Sequence, residues 1–291
     1  MAKTEILGTG LDGLVGSRLV ELLSLQFDFV NLSRKSGTDI TNSEVVMERF
    51  KSCSSHIILH LAAKTDVDGC EDDKSLGEDG EAWRVNVEGT QNIVTAAQKT
   101  GKKIIFISTD FVFDGTKNFF LENDNPNPVN WYGETKLQAE EAILKADLPS
   151  IIIRIASPYM SQDSSKKDFV HRIISLLQRG EKISAVTDHT FTPTYIDDIA
   201  QALPLFIGKD LNGIYHLAGS QILSPFDAAI LIAQQFGLNK NLISETTRVE
   251  FFTKRDRAFR PRNLALKSDK IAELGIKMRS FEEGLREFKI L

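Results

Sequence analysis

The chain has 291 residues, 42% of them hydrophobic and 26% charged, with a formal charge of −5 at pH 7. That composition belongs to a globular protein of one large or two coupled domains, and the acidic balance excludes a general nucleic-acid binder. No apolar run approaches the ~20 residues of a membrane span and no signal pattern precedes the first strand, so no membrane partner is expected and the expected location is cytoplasmic.

Apolar runs of strand length recur in chain order at Glu5–Leu7, Phe27–Leu32, His56–Leu61, Lys103–Ser108, Ser150–Ile155 and Ile214–Leu217. Helical patterns fall between them at Gly16–Leu25, Ser43–Lys51, Ala82–Lys99 and Trp131–Ala146. This alternation predicts an α/β protein with a doubly wound parallel sheet. Residues 1–155 are expected to form a dinucleotide-binding domain, to which a strand near 214–217 returns. Residues 156–291 are expected to form mainly a smaller substrate lobe, with a loop at Ser157–Asp168, a helix at Phe169–Arg179 and an extended stretch at Thr187–Ile196. From Ser224 to Leu291 the pattern reads as helical, with loops near Asn239 and Arg257–Asn263.

The first strand runs into Gly10, Gly13 and Gly16 and then into an apolar-periodic helix opened by Leu14 and Val15. In such a turn Gly10 makes the tight bend, Gly13 admits a pyrophosphate to the backbone, and Gly16 lets helix and strand pack closely. Gly8 supplies a second register, Gly8-x-Gly10-x-x-Gly13, and spacing alone does not assign the roles. The helix N-terminus offers N–H donors and a favourable dipole to phosphates. After the second strand, where an acidic residue would select NAD(H), stand Ser33, Arg34 and Lys35. Two cations and a hydroxyl suit a ribose 2′-phosphate, so NADP(H) is expected over NAD(H); Asp39 and Ile40 follow, in reach of an adenine edge.

Tyr132 and Lys136 lie four residues apart, on one face of a helix. An ammonium beside a phenol lowers its pKa from ~10 toward the range of acid/base work. Thr109, at the end of a strand, is placed to hydrogen-bond the same substrate oxygen, which suits proton transfer at a carbonyl while hydride moves at its carbon. Elsewhere the chemistry is sparse. Cys53 and Cys70 give no disulfide framework, and neither they nor the five histidines have metal-ligand spacing, so no metal is expected. The run Asp66–Asp79, with seven carboxylates, reads as a solvated loop whose Asp68 faces the cleft. Lys254–Arg262 is short and interrupted, suiting anion binding in a pocket or plain solvation.

Beyond these spacings, the chain resembles the extended short-chain dehydrogenase/reductases, and within them the dTDP-4-dehydrorhamnose reductase family. The resemblance rests on Gly10-x-x-Gly13-x-x-Gly16, His60–Asp68, Asn86-Val87-Glu88-Gly89-Thr90, Ser108–Gly115, Pro128–Leu137, Thr192–Asp198 and Arg260-Pro261-Arg262-Asn263, nearly the whole chain. It implies that Tyr132 protonates the C4 oxygen of a nucleotide-linked deoxysugar as NADPH delivers hydride. Lys136 would hold the nicotinamide ribose, and Thr109 the keto oxygen. Leu61, Ala62, Ala63, Thr65, Asn86 and Ser108 would border the cofactor, while Asp68, Asp110, Phe111, Ser157, Arg260 and Arg262 would meet the substrate. The chain departs from the family at Ser157, where an aromatic is usual, and at Phe111, where a tyrosine is usual. The same branch contains the non-catalytic, NADP-binding β subunit of methionine adenosyltransferase, similar here in Arg260–Leu266, and other nucleotide-sugar epimerases and dehydratases. All three readings stay open at this point, as does a homodimer formed near the Tyr132 helix.

Overall fold

The computed structural model describes residues 3–164, 166–253 and 257–289. Lys254, Arg255 and Asp256 of the basic stretch, and the last two residues of the C-terminal helical pattern, lie outside the described residues. The elements, in chain order, are β1 (Thr4–Thr9), α1 (Leu14–Leu23), β2 (Phe27–Leu32), α2 (Ser43–Ser52), β3 (Ile57–His60), α3 (Val67–Asp73), α4 (Glu81–Trp83), α5 (Gly89–Thr100), β4 (Lys103–Thr109), α6 (Trp131–Leu144) and β5 (Ser150–Ile155). There follow α7 (Phe169–Gln178), β6 (Ile183–Val186), α8 (Ile196–Gly208), β7 (Gly213–His216), α9 (Pro225–Gln235), β8 (Ile243–Thr246), α10 (Arg248–Thr253), α11 (Asp269–Ala272) and α12 (Phe281–Arg286).

Six strands form one parallel sheet in the order β2-β1-β3-β4-β5-β7. Alternate side chains leave a strand on opposite faces, and both faces are covered. Ile57, Leu59, Ile105, Ile107, Ile151 and Ile153 pack under α1 and α8 through Leu19, Leu23, Ile199, Leu203 and Phe206. Ile58, Ile104, Phe106 and Ile152 pack under α2, α5 and α6 through Val46, Phe50, Ile93, Ala97, Ala139 and Ile143. Each such aliphatic side chain contributes roughly 1.5–3 kcal/mol on burial. That two-sided burial explains why these strands read as unbroken apolar runs.

The chain leaves β1 toward β2 and then crosses back to place β3 on the other side of β1. A crevice opens at the carboxyl ends of strands where the order reverses in this way, and the glycine turn after β1 sits there. A second core, built from Tyr159, Val170, Ile174, Phe191, Tyr195, Ile232, Phe281, Leu285 and Phe288, underlies the later elements. A smaller cluster beside it, Leu177, Ala185, Ala229, Ala233 and Ile243, carries a two-stranded parallel sheet, β6-β8.

Several local readings need correction. The expected helix over 82–99 is interrupted by a π-helical turn at Arg84–Glu88. The acidic run expected as a loop contains α3, because Cys70 is buried beneath Tyr132 and Glu71 accepts the Trp131 N–H at 2.8 Å. The region after 224 contains β8, which forms because β6 pairs with it from sixty residues upstream. These stabilising partners are all remote in sequence.

Candidate active site

Gly10 has φ +69°, and a β-carbon there would lie 2.5 Å from the Ala62 nitrogen. The turn therefore closes directly on the segment after β3, at the crevice. Gly13 donates its N–H to the Gly10 carbonyl at 2.9 Å, and α1 begins after it with no side-chain cap. A β-carbon on Gly16 would meet Gly10 O at 2.5 Å and Leu11 Cα at 2.6 Å, which holds helix and turn in contact. Leu14 and Val15 supply the first two residues of α1. Among the described residues, the Ser108 hydroxyl is buried without a hydrogen-bond partner. An uncapped helix start, a turn bent at Gly10 and Gly13 and an unpaired hydroxyl at the same rim fit a dinucleotide.

At the end of β2, Ser33 caps a 3-10 turn made by Arg34, Lys35 and Ser36. Arg34 is exposed and reaches Asp39 at 3.1 Å. Asp39 is otherwise engaged by the Thr41 N–H and hydroxyl. Ile40 turns inward, where a β-carbon on Gly89 would meet it at 2.7 Å. Lys35 has no side-chain partner among the described residues and Arg34 only its exposed pair with Asp39, which an anion can displace, whereas Asp39 is also bound by Thr41 and Ile40 is packed inward.

Behind the turn runs a hydrogen-bond chain that spacing alone did not reveal. The Ala62 N–H donates to Thr9 Oγ1 at 3.2 Å, and Thr9 Oγ1 lies 2.6 Å from His60 Nδ1. His60 Nε2 lies 3.0 Å from Thr90 Oγ1, which donates to the Asn86 carbonyl at 2.7 Å. Because the Thr90 proton is committed, His60 must carry its proton on Nε2 and accept from Thr9. Burial lowers His60 to about 3, so the ring is neutral. The Asn86 side chain bridges the Lys64 backbone, at 2.8 and 3.1 Å, to Thr135 Oγ1 at 2.9 Å, and Thr135 donates to the Tyr132 carbonyl. The glycine turn, the segment bearing Leu61, Ala62, Ala63 and Thr65, and the Tyr132 helix are therefore one connected frame.

Asn130 caps α6 by accepting the Gly133 N–H at 2.9 Å, and its amide donates to the Phe259 carbonyl at 2.9 Å. Tyr132 follows on the first turn, 8% exposed, its ring edge-on to Phe111 with centroids 5.7 Å apart. Lys136, one turn on, donates to the Ile107 carbonyl at 2.9 Å and lies 3.9 Å from the centre of the Phe106 ring. Burial lowers Lys136 to about 7, against the opposing charge of Glu140. The phenol does not follow the expectation of a lowered pKa. Desolvation raises it above its ordinary value, opposed by the Thr109 hydroxyl and reinforced by Asp110 and Cys70. The reason is geometric, since the lysine is itself desolvated and its head group is directed to a β4 carbonyl.

One helical turn beyond Lys136, Glu140 meets Arg154 of β5 at 2.6 Å, both about 1% exposed. This pair ties α6 to the strand whose end carries Ser157. Ser157 is non-glycine yet has φ +39°, a strained conformation of the kind that collects at functional sites. Thr109 sits at the end of β4, its Oγ1 3.0 Å from Asp110 Oδ1 and accepting the Phe111 N–H at 3.2 Å. Asp68 is joined to Arg260 at 2.7 Å and to Arg257 at 3.6 Å, so two of the expected substrate residues already neutralise each other. Arg262 is exposed.

A model of the RmlD substrate binding domain matches residues 4–289. The chain belongs to that family. Among RmlD-family relatives it is 31% identical to the dTDP-4-dehydrorhamnose reductase of Aggregatibacter actinomycetemcomitans, over 98% of each protein. It is 30% identical to methionine adenosyltransferase 2 subunit beta of Mus musculus, over 86% of this chain and 74% of that protein. Among solved structures, the dTDP-4-dehydrorhamnose reductase of Bacillus anthracis in complex with NADP superposes with a TM-score of 0.89 at 30% identity, covering 99% of both chains. No helix among the described residues is long and apolar enough to cross a membrane.

Proposed function

We propose that this chain reduces the C4 ketone of a nucleotide-linked deoxysugar with NADPH, with dTDP-4-dehydro-rhamnose as the substrate favoured by its relatives. The observation that carries the reading is that Phe111, whose N–H bonds Thr109 at the end of β4, packs on Tyr132, one helical turn from Lys136, whose ammonium reaches the β4 carbonyl of Ile107. Residues 1–155 would hold the dinucleotide and residues 156–291 mainly the sugar. Gly10, Gly13 and the start of α1 would take the pyrophosphate, Arg34 and Lys35 the 2′-phosphate, and Ala62, Ala63, Asn86 and Ser108 the nicotinamide side.

When bound, NADPH supplies the hydride. Tyr132 gives its proton to the C4 oxygen; a phenol raised by burial stays protonated at neutral pH, the state a donor needs. Thr109 orients that oxygen by hydrogen bonding. Lys136, which spends one of its three donors on the Ile107 carbonyl, would offer the others to a ribose hydroxyl. Of Arg260 and Arg262, Arg262 would serve the diphosphate, because Arg260 is held by Asp68 and Arg262 has no ion pair among the described residues. The reading extends to a cytoplasmic enzyme and a homodimer near α6, which sedimentation equilibrium checks against a monomer.

The test is NADPH consumption with dTDP-4-dehydro-rhamnose, with Tyr132→Phe as control. Turnover in the natural chain and its loss in the variant, with NADPH affinity kept, supports the proton-donor role. Normal turnover by the variant refutes it. Ser157, small and left-handed where the family has an aromatic, favours a second reading, an NADP-binding regulatory subunit like the methionine adenosyltransferase β subunit. Tight NADPH binding without turnover of any 4-keto sugar would select it.

A further inference from the structure

Resting on the reductase reading, we propose that Phe259 is the stacking platform for the base of the nucleotide-linked substrate. Residues 258–260 are clamped at three consecutive positions, each from a different part of the fold. The Ala258 N–H donates to Asp68 Oδ1 of α3 at 3.1 Å. The Phe259 carbonyl accepts from the side-chain amide of Asn130, the cap of α6, at 2.9 Å. The Arg260 carbonyl accepts from Arg248 Nη1 of α10 at 2.8 Å. Asn130 stands two residues before Tyr132, so the clamp sets Phe259 at the mouth of the candidate active site.

The backbone is fixed, yet the ring faces out. Ala258 is 4% exposed and Phe259 is 55% exposed. The ring lies over the Arg248 guanidinium, whose carbon is 5.0 Å from the ring centre. That guanidinium is itself held, because Nη1 is bonded to the Arg260 carbonyl and Nε is buried. One face of the ring therefore rests on a cation, which adds to the attraction, and the rest is open. A single exposed apolar side chain is ordinary on a protein surface. A ring clamped through its backbone and backed by a fixed cation is a preformed surface, and it loses little freedom when a ligand covers it.

The order of groups along the substrate selects the base as the occupant. The C4 ketone must reach Tyr132, which is 8% exposed, so the sugar enters first. The diphosphate leaves from C1, across the sugar ring from C4, and so points outward. Arg262, exposed and three residues beyond Phe259, is the cation assigned to it. The base is then the outermost group, and it is planar. A flat π face at the outer edge of the site matches it. Stacking of a base on an aromatic ring tolerates every base, because each has a π face. The platform therefore supplies affinity and leaves the choice of nucleotide to other groups.

The test is calorimetric titration of NADPH-loaded protein with dTDP, with UDP, and with inorganic pyrophosphate, which has no base. Phe259→Ala is expected to weaken whichever nucleotide binds the natural chain more tightly by at least about fivefold, and pyrophosphate little. Phe259→Leu keeps apolar bulk without a π face and should bind as weakly as Phe259→Ala, whereas Phe259→Tyr should restore the natural affinity. Equal losses for nucleotide and pyrophosphate would show that the ring only supports the fold of the site. Unchanged nucleotide affinity in Phe259→Ala, or rescue by leucine as full as by tyrosine, overturns the platform while the reductase reading stands. A natural chain that binds neither dTDP nor UDP fails the reductase reading, and the platform with it.

Discussion

A β-carbon on Gly133 would lie 2.2 Å from the Phe111 carbonyl oxygen. The helix bearing Tyr132 and Lys136 thus rests on the backbone of the turn that follows Thr109, and this contact sets the distance between phenol and hydroxyl. Gly133→Ala must push the two apart. Overpacking of this kind costs roughly 1–3 kcal/mol, and displacement of a reacting group by about 1 Å costs up to ~10²-fold in rate. The expected variant is folded, modestly destabilised in urea and strongly reduced in kcat, with NADPH affinity changed far less. A kcat within twofold of the natural chain would show that the contact does not position Tyr132.

Arg34 holds Asp39 at 3.1 Å, with the two side chains 66% and 41% exposed. Exposed pairs of this kind contribute about 0–1 kcal/mol, so the guanidinium is easily redirected to a phosphate. Replacing Arg34 and Lys35 by neutral residues should weaken NADPH by about 10- to 100-fold through lost charge-assisted hydrogen bonds. NADH, lacking the 2′-phosphate, should lose little. Titration of both cofactors checks this, and equal losses would remove the 2′-phosphate assignment.

Arg18 of α1 makes a two-pronged contact with Asp197 at the start of α8, at 2.8 and 2.6 Å, across 179 residues. Arg18 is only 6% exposed and keeps Glu21 at 2.9 Å. Breaking a buried pair by removing one partner costs about 3–5 kcal/mol; the partial exposure of Asp197 and the remaining glutamate reduce that to about 2 kcal/mol. Asp197→Asn should show this loss in denaturant unfolding. A variant as stable as the natural chain would mean that Glu21 compensates fully.

His60 takes a proton at about 3 in the folded chain and near 6.5 when exposed. Between these values the unfolded chain binds the proton and the folded chain does not. Its contribution is therefore complete above the upper value and is lost as pH falls through the window, at up to ~1.4 kcal/mol per pH unit. His60→Gln should make the pH dependence of stability shallower by up to one proton across that window. His216, also lowered to about 3 by burial, stays in the variant and keeps its own share. Urea unfolding at a series of pH values measures the difference, and an unchanged slope contradicts a neutral buried His60.

Features written in short spacings were legible before any coordinates. Gly10, Gly13 and Gly16 lie within one turn, Tyr132 and Lys136 within one helical face, and the strands are marked by runs such as Ile104–Ile107. In each case the physical cause is local: a bend made at glycines, a 3.6-residue period, or a strand buried on both faces. Chain order also implied the rim, since ligands gather beyond the carboxyl ends of parallel strands.

Other properties depend on partners brought together from far apart. The acidic run becomes α3 because Tyr132 and Trp131 pack on it, and Arg260 loses its freedom because Asp68 lies opposite. Likewise, the phenol is raised rather than lowered because both it and Lys136 are stripped of water. Composition and periodicity therefore determined which residues could form strands, turns and a tyrosine–lysine face. Tertiary packing alone decided which charges are neutralised and which protons are held, because desolvation and ion pairing depend on what fills the space around a group, and adjacent residues supply little of that.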